Sequence, residues 1–130
     1  MSQTIILIPS RLNSKRLKNK PLLEIDGCPL VVHTYKRAEM SKICSKVYVC
    51  TDSKEIKRKC EEFSTKIIMT SNKHINGTER IAEAARKLKL KDNDIIVDVQ
   101  GDEPLIDPKQ IDNTIKFFKK NKFEIVLPNI

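Results

Sequence analysis

Three basic side chains follow the first apolar run of the chain and could together hold a polyphosphate. Arg11, Arg16 and Lys20 lie in the segment RLNSKRLKNK directly after TIILIPS, with Ser14 between the two arginines. A guanidinium binds phosphate oxygens through paired N–H donors, and a lysine ammonium adds a compact positive charge. The segment lacks the glycine spacing and the GK[ST] ending of a Walker A loop. It therefore predicts a phosphate site of another type, and a solvated basic loop is the alternative.

An acidic turn follows a later apolar run, DIIVDV, and could hold a divalent cation. Asp102 and Glu103 come directly after Gly101, which allows a sharp turn, and Pro104 prevents the strand from continuing. Mg²⁺ takes oxygen ligands and commonly bridges one or two carboxylates to substrate phosphates. An ordinary turn would explain Asp102 alone, but its position after a strand, like that of the basic segment, favours a metal site.

The segment INGTER is a third candidate, because it opens a predicted helix. Thr78 is the predicted N-cap, and the free N–H groups and dipole of the helix suit an anion or a base edge. Capping does not account for Glu79 and Arg80, since Ile81 stands where a capping-box acid would be expected. His74, in the polar loop before this helix, could contact a ligand or only solvent.

Apolar runs alternate with helical patterns along the chain, which predicts a doubly wound α/β fold with a mostly parallel sheet. Strands are predicted over 4–9, 46–51, 66–69, 94–99 and 124–127, and helices over 29–40, 53–63 with Ser53 as N-cap, 78–88, and 108–121 with Asp107 as cap. Asp52 is interpreted as part of an ordinary turn between strand and helix. The loop Ser10 to Asp26 is about seventeen residues long, against about two to six in a usual βα connection. Ligands of open α/β sheets bind at the carboxyl ends of the strands, where this loop lies.

The length and composition of the chain limit the number of domains, the partners and the kinds of metal site that can be expected. A chain of 130 residues fits one domain, and the formal net charge of +8 is compatible with an anionic partner, although most of the lysines are scattered as on solvated helix faces. The four cysteines never stand closer than six positions, so a CxxC pair is absent and a cysteine metal site is not expected. No apolar stretch reaches the length of a membrane span, and we expect a cytoplasmic protein without membrane partners.

Taken together, the motifs resemble the 3-deoxy-manno-octulosonate (Kdo) cytidylyltransferases, also called CMP-Kdo synthetases. The resemblance is carried, in the family's order, by IPSRLNSKRLKNKPL at 8–22, GCPLVVHTYKRA at 27–38, VYVCTD at 47–52, NGTERIAEA at 76–84 and VDVQGDEPLI at 97–106. It covers essentially the whole chain. It implies a fold of the nucleotidyltransferase, glycosyltransferase-A-like type, with residues 1–130 forming the N-terminal nucleotide-binding part of a single domain.

The resemblance also implies a reaction, CTP + Kdo → CMP-Kdo + pyrophosphate, which depends on Mg²⁺ and supplies lipopolysaccharide precursors. Arg11, Ser14, Arg16 and Lys20 would hold the triphosphate, and three of them (Arg11, Arg16 and Lys20) would stabilise the departing pyrophosphate. Asp102 would bind Mg²⁺ and Gln100 would contact the sugar acid. The group Thr78, Glu79 and Arg80 would lie near the cytidine.

Family members continue well beyond the position of Ile130, and their second half supplies another acidic metal ligand, most of the sugar pocket and the contacts of a homodimer. We therefore expect a fragment with little activity of its own. Two functions close to the first stay open: a cytidylyltransferase for another 3-deoxy-2-keto acid such as amino-Kdo, and a non-catalytic remnant that still binds CTP. An RNA-binding module is disfavoured, because two tyrosines and four phenylalanines provide no aromatic platform for stacked bases.

Overall fold

The computed structural model describes residues 3–12, 20–74 and 76–121. Its main sheet has four strands, and the remaining elements are a short 3₁₀ turn, a two-stranded hairpin and four helices. In chain order the elements are β1 Thr4–Pro9, the 3₁₀ turn Lys20–Leu22, β2 Glu24–Ile25, β3 Cys28–Pro29, α1 Leu30–Glu39, β4 Lys46–Thr51, α2 Lys54–Glu62, β5 Ile67–Met69, α3 Gly77–Lys87, β6 Ile95–Asp98 and α4 Pro108–Asn121. The predicted strand over 124–127 lies outside the described residues.

The four-stranded sheet has the order β5-β4-β1-β6, and each neighbouring pair is parallel. Strand β1 lies inside the sheet, and the residues from Thr4 to Ile8 are buried. A strand covered on both faces is continuously apolar, as the run TIILIP is. The prediction of an α/β fold with a mostly parallel sheet is confirmed.

The two faces of the sheet form two cores. Ile6, Ile8 and Val49 face one side and pack with residues of α1, α2 and α4. Ile5 and Leu7 face the other side and pack with Ala84 of α3 and with neighbouring strand residues. This alternation follows from the opposite directions of successive side chains in a strand. Because the four strands of this sheet run the same way, their carboxyl ends meet at one edge of the sheet.

The helix starts confirm two predicted caps and correct a third. Ser53 Oγ accepts a hydrogen bond from Ile56 N at 3.1 Å, and Asp107 Oδ1 accepts one from Lys109 N at 2.9 Å. Helix α3, however, begins at Gly77, so Thr78 is not its N-cap. The cap is Asn76, whose Oδ1 accepts from Glu79 N at 2.9 Å. The capping-box position lies three residues after the cap. With Asn76 as the cap this position is Glu79, whereas with Thr78 it would have been Ile81.

The hairpin of β2 and β3 is a feature that the sequence analysis missed. Asp26 and Gly27 form its turn with φ values of 53° and 76°, the left-handed region that a type I′ turn requires at both central residues. An Asp-Gly pair is a strong signal for such a turn. Pro29 ends the hairpin and is the N-cap of α1, whereas the sequence analysis had placed it at the first helical position.

Candidate nucleotide-binding site

Two adjoining clefts open at the carboxyl edge of the sheet. They share a wall made of four residues, namely Pro9, Ser10, Arg11 and Gln100. The cleft that we call the α3 cleft has a volume of about 290 Å³ and is completed by His74, Asn76, Gly77 and Arg80. The other, the rim cleft, has a volume of about 240 Å³ and is completed by Lys20, Pro21, Gly101 and Asp102. All three motifs that the sequence analysis singled out therefore contribute to one continuous depression.

The rim cleft carries exposed charges of both signs. Lys20 Nζ lies 3.1 Å from Asp102 Oδ2, and their side chains keep 41% and 49% of their surface exposed. Arg11 is also exposed and lines both clefts. An exposed ion pair stabilises a fold by only about 0–1 kcal/mol, so the folded chain gains little from keeping these charges together. We refer to Arg11, Lys20 and Asp102 as the charged rim.

Helix α1 fixes the turn that carries Asp102. Thr34, which is fully buried, donates a hydrogen bond from Oγ1 to the carbonyl of Gly101 at 3.0 Å. Arg37 Nε donates to the carbonyl of Ile106 at 3.0 Å, at the far end of the same loop. A Cβ at position 101 would lie 3.4 Å from the carbonyl oxygen of Pro9, an ordinary contact distance, so this turn packs directly against Pro9. The acidic turn is thereby held beside the end of β1.

The start of α3 approaches the end of β1 from the other side. A Cβ on Gly77 would lie 3.2 Å from Pro9 Cγ, which is tighter than an ordinary contact, so glycine lets the helix approach. Arg80 is only 5% exposed and its guanidinium donates to Thr70 Oγ1 at 2.5 Å and to the Ser71 carbonyl at 3.3 Å. Its Nη1 also lies 3.7 Å from Asp52 Oδ1. Arg80 thus ties the loop after β5 to α3.

A second set of contacts fixes the same loop. The carboxylate of Glu83 accepts from Ser71 N at 2.8 Å, lies 2.6 Å from His74 Nε2 and pairs with Lys87 Nζ at 3.1 Å. The hydrogen bonds from Ser71 and His74 lower the pKa of Glu83 to about 2. We call residues 70–74 the anchored loop. His74 therefore reaches the α3 cleft from a position that protein contacts determine.

A different carboxylate lies at the end of β6. The Gln100 amide donates to Asp98 Oδ1 at 3.3 Å, and burial raises the pKa of Asp98 to about 6. The pKa values of Glu83 and Asp98 are thus shifted in opposite directions. Hydrogen bonds lower the pKa of Glu83, and burial raises that of Asp98.

The predicted site residues have three outcomes. Arg11, Lys20, Gln100, Asp102 and Arg80 line the two clefts. Thr78 and Glu79 are exposed in the first turn of α3, between the cleft-lining residues of that helix. Ser14 and Arg16 lie outside the described residues.

Three residues of the site have roles that were not predicted. Asp52 was interpreted as an ordinary turn, but it pairs with Arg80 and lines a further pocket, which shares Arg11, His74 and Arg80 with the α3 cleft. Asn76 caps α3, and the sequence NGTE carries the Asn-x-x-Glu signal that could have identified it. Ser10 follows β1 directly, and nothing in the sequence distinguishes it from a connecting residue.

The carboxylate of Asp102 suits a hard cation that also binds a ligand. Within the described residues, no cluster of three or more His, Cys, Asp or Glu side chains could enclose a metal ion. Asp102 offers carboxylate oxygens to the rim cleft, and Mg²⁺ is commonly held by one or two carboxylates together with substrate phosphates and water. The residues present therefore fit a cation that shares its coordination with a phosphate chain.

The fold alone relates this chain to proteins of low sequence identity. The fold is shared with 4-diphosphocytidyl-2C-methyl-D-erythritol synthase, which aligns with a TM-score of 0.68 at 15% identity over 88% of this chain and 53% of that one. At that identity the likeness concerns the fold. Within the described residues, no helix is long and apolar enough to cross a membrane.

The family follows from closer matches. A sequence-family model described as "Cytidylyltransferase" matches residues 5–128, so the chain belongs to the cytidylyltransferase family. It is 43% identical over 97% of its length to the 8-amino-3,8-dideoxy-manno-octulosonate cytidylyltransferase of Shewanella putrefaciens. A solved CMP:2-keto-3-deoxy-manno-octonic acid synthetase complexed with CTP aligns with a TM-score of 0.86 at 36% identity, over 93% of this chain and 49% of that one. The resemblance to CMP-Kdo synthetases is confirmed.

Length separates this chain from those relatives. It spans about half of the curated relatives that it matches, 51% in the case of the Shewanella putrefaciens protein. A cytidylyltransferase from Leptospira borgpetersenii is likewise matched over 51% of its chain, with a TM-score of 0.76 and 28% identity.

Proposed function

We propose that this chain binds CTP with Mg²⁺ and provides the nucleotide half of a cytidylyltransferase that activates Kdo for lipopolysaccharide synthesis. The observation that carries the proposal is the convergence of Lys20 and Asp102 at 3.1 Å beside Arg11, in a cleft continuous with the start of α3. These residues come from separate segments of the chain. Phosphate ligands and a metal ligand at one point are what a bound triphosphate and its cation require.

The two clefts suggest how the nucleotide is divided between them. The charged rim would take the triphosphate, with Arg11 and Lys20 on its oxygens and Asp102 on the cation. Ser14 and Arg16 would contribute to the same phosphates. The α3 cleft would take the nucleoside near Thr78, Glu79 and Arg80, and Gln100, on the wall between the clefts, would contact the sugar acid.

The reaction that this arrangement supports is an in-line displacement. The anomeric hydroxyl of the sugar acid attacks the α-phosphate, and pyrophosphate leaves with the β- and γ-phosphates. Arg11, Arg16 and Lys20 would hold the departing charge, which lowers the barrier by electrostatic stabilisation and positioning. Mg²⁺, when bound, would neutralise phosphate charge and orient the triphosphate. The displacement requires no protein nucleophile.

Calorimetric titration tests the proposal. The purified chain is titrated with CTP, ATP, GTP and UTP, each with and without Mg²⁺. We expect binding that is selective for CTP and depends on the divalent ion. An RNA-binding module would instead bind oligonucleotides without Mg²⁺ and lose affinity steeply with salt. Failure of a demonstrably folded chain to bind CTP would refute the proposal for this chain.

The identity of the sugar acid has a second candidate. Relatives from Shewanella that are 41–43% identical are named as 8-amino-3,8-dideoxy-manno-octulosonate cytidylyltransferases. Pyrophosphate release can be compared for Kdo and its 8-amino analogue at matched concentrations, with CTP saturating. A higher kcat/KM for the amino sugar would favour the second candidate, and the reverse would favour Kdo. A chain that binds CTP but releases no pyrophosphate with either acid would be a nucleotide-binding remnant.

A further inference from the structure

We propose that Ser10 is an additional nucleotide-binding residue, whose hydroxyl holds an α-phosphate oxygen where the two clefts meet. The proposal rests on the proposed function, since it assigns one contact within the same site. Ser10 stands between the end of β1 and Arg11 and lines both clefts. The α3 cleft lies on one side of it and the charged rim on the other. A nucleotide that spans the two clefts has its α-phosphate at this junction.

The Ser10 hydroxyl lacks the partner that a buried polar group normally has. Ser10 is 6% exposed, and its Oγ has no hydrogen-bond partner among the described residues. Nearly all buried polar groups in proteins are hydrogen-bonded, and an unsatisfied one costs about 1–3 kcal/mol. The hydroxyl is therefore destabilising in the free chain, and a ligand oxygen beside it would remove that cost.

The surroundings of Ser10 restrict what can satisfy its hydroxyl. Ser10 N donates to the carbonyl of Cys50 at 2.9 Å, which fixes the backbone at the end of β1. A Cβ on Gly101 would lie 3.4 Å from Ser10 Oγ, so the acidic turn passes close to the hydroxyl. With Arg11 next in sequence, an anionic oxygen suits this position, and the hydroxyl would donate to it.

Thr65 provides a matched control. It is the other buried hydroxyl without a hydrogen-bond partner among the described residues, and it is 5% exposed. It lies between α2 and β5, where its N donates to the carbonyl of Cys60 at 3.1 Å. Ser10→Ala and Thr65→Val each remove one unsatisfied hydroxyl with little change of shape. The two variants therefore share the effect on folding and differ in their position relative to the clefts.

The experiment compares three ligands on three proteins. Affinities for CTP, CMP and cytidine are measured by calorimetry, directly or by competition, on the wild-type chain and both variants, and thermal unfolding is recorded without ligand. We expect Ser10→Ala to weaken CTP and CMP alike by about tenfold, as for a lost hydrogen bond to a charged group, and to leave cytidine unchanged. Neither variant should lower the melting temperature, and Thr65→Val should bind all three ligands as the wild type does.

Each contrary outcome has a definite meaning. If the wild type binds CTP and Ser10→Ala binds it equally well, Ser10 holds no ligand and the proposed function stands. A loss that also affects cytidine would place the hydroxyl on the nucleoside and overturn the α-phosphate assignment. Equal losses in Ser10→Ala and Thr65→Val would show a general effect of the fold. A folded wild-type chain that does not bind CTP would overturn both this inference and the proposed function.

Discussion

The anchored loop and the charged rim lie on opposite sides of Ser10, and their charged groups are used differently. In the anchored loop, His74 lies 2.6 Å from the carboxylate of Glu83 on α3. Arg80 of α3 is buried, and its guanidinium donates to Thr70 of the same loop. In the charged rim, Lys20 and Asp102 contact each other but remain more than 40% exposed. One set of charges is occupied in holding the fold together, whereas the other is accessible to a ligand.

The two regions therefore have different roles in the candidate site: one determines its shape, and the other provides charges that a ligand can contact. Buried charges that are fully engaged with protein groups cannot give much new interaction energy to a ligand, but they define the wall that the ligand contacts. Exposed charges stabilise the fold little, and a triphosphate with its cation can engage them at low cost. Substitutions of the residues that hold the anchored loop should therefore reduce stability first, and substitutions in the charged rim should reduce affinity first.

The largest effect is expected for Arg80→Met. The change removes a buried guanidinium and leaves Thr70, the Ser71 carbonyl and Asp52 without it, so we expect a loss of about 3 kcal/mol in the free energy of unfolding. Urea denaturation measures it. Arg86→Met, at an exposed position of the same helix, is the control and should stay within about 0.5 kcal/mol of the wild type. Equal stability of the two variants would show that Arg80 does not anchor the loop.

Asp102→Asn tests the charged rim. The neutral amide keeps the shape of the turn, which Thr34 holds through the carbonyl of Gly101, so the fold should remain intact. We expect CTP affinity in Mg²⁺ to fall by about ten- to a hundredfold and to become insensitive to a chelator, because the metal ligand is lost. Asp92→Asn, in an exposed turn, should retain the response to Mg²⁺. A variant that still binds CTP in a Mg²⁺-dependent way would remove Asp102 from the site.

The two regions also differ in how far the sequence could predict them. The charged rim was identified from residue types after apolar runs, because strand ends of a parallel sheet meet at one edge whatever the tertiary detail. The contacts around the anchored loop were not, since the pairing of Asp52 with Arg80 joins distant segments. Thr78 was assigned as the cap of α3 where Asn76 fills that role, since both residue types accept hydrogen bonds at helix starts. The missing partner of the Ser10 hydroxyl is a property of packing that no local pattern encodes.

Lys20→Ala should have a smaller effect than the loss of the metal ligand. If Lys20 contacts the outer phosphates, the variant should bind CTP about five- to tenfold more weakly and CMP almost as the wild type does, since CMP lacks those phosphates. Calorimetry with both ligands measures the ratio. Lys109→Ala, exposed at the start of α4, is the control. Equal losses for CTP and CMP would contradict the assignment to the distal phosphates. Ser10→Ala should give a different pattern, because it is expected to weaken the binding of CTP and of CMP equally.

The smallest effect is expected for Asp98→Asn, and its sign is opposite. Burial raises the pKa of Asp98 to about 6, above the ordinary value of 3.8, so the fold favours the protonated acid. The contribution of this acid to stability is complete below about pH 3.8 and is lost as the pH rises through about 6. Asparagine does not ionise, and the variant should therefore be more stable than the wild type at pH 7.5, by about 1 kcal/mol after allowance for partial exposure.

The pH dependence is the decisive part of this measurement. Urea midpoints of the wild type and Asp98→Asn, compared from pH 4.5 to pH 8, should differ increasingly as the pH rises through about 6. Glu83→Gln should instead be less stable than the wild type by a nearly constant amount over this range. Hydrogen bonds lower the pKa of Glu83 from 4.5 to about 2, so its ionised form loses its stabilising effect only as the pH falls below about 4.5. If Asp98→Asn were destabilising at every pH, burial would not be the main influence on the Asp98 carboxylate. The contrast between Asp98 and Glu83 would then fail.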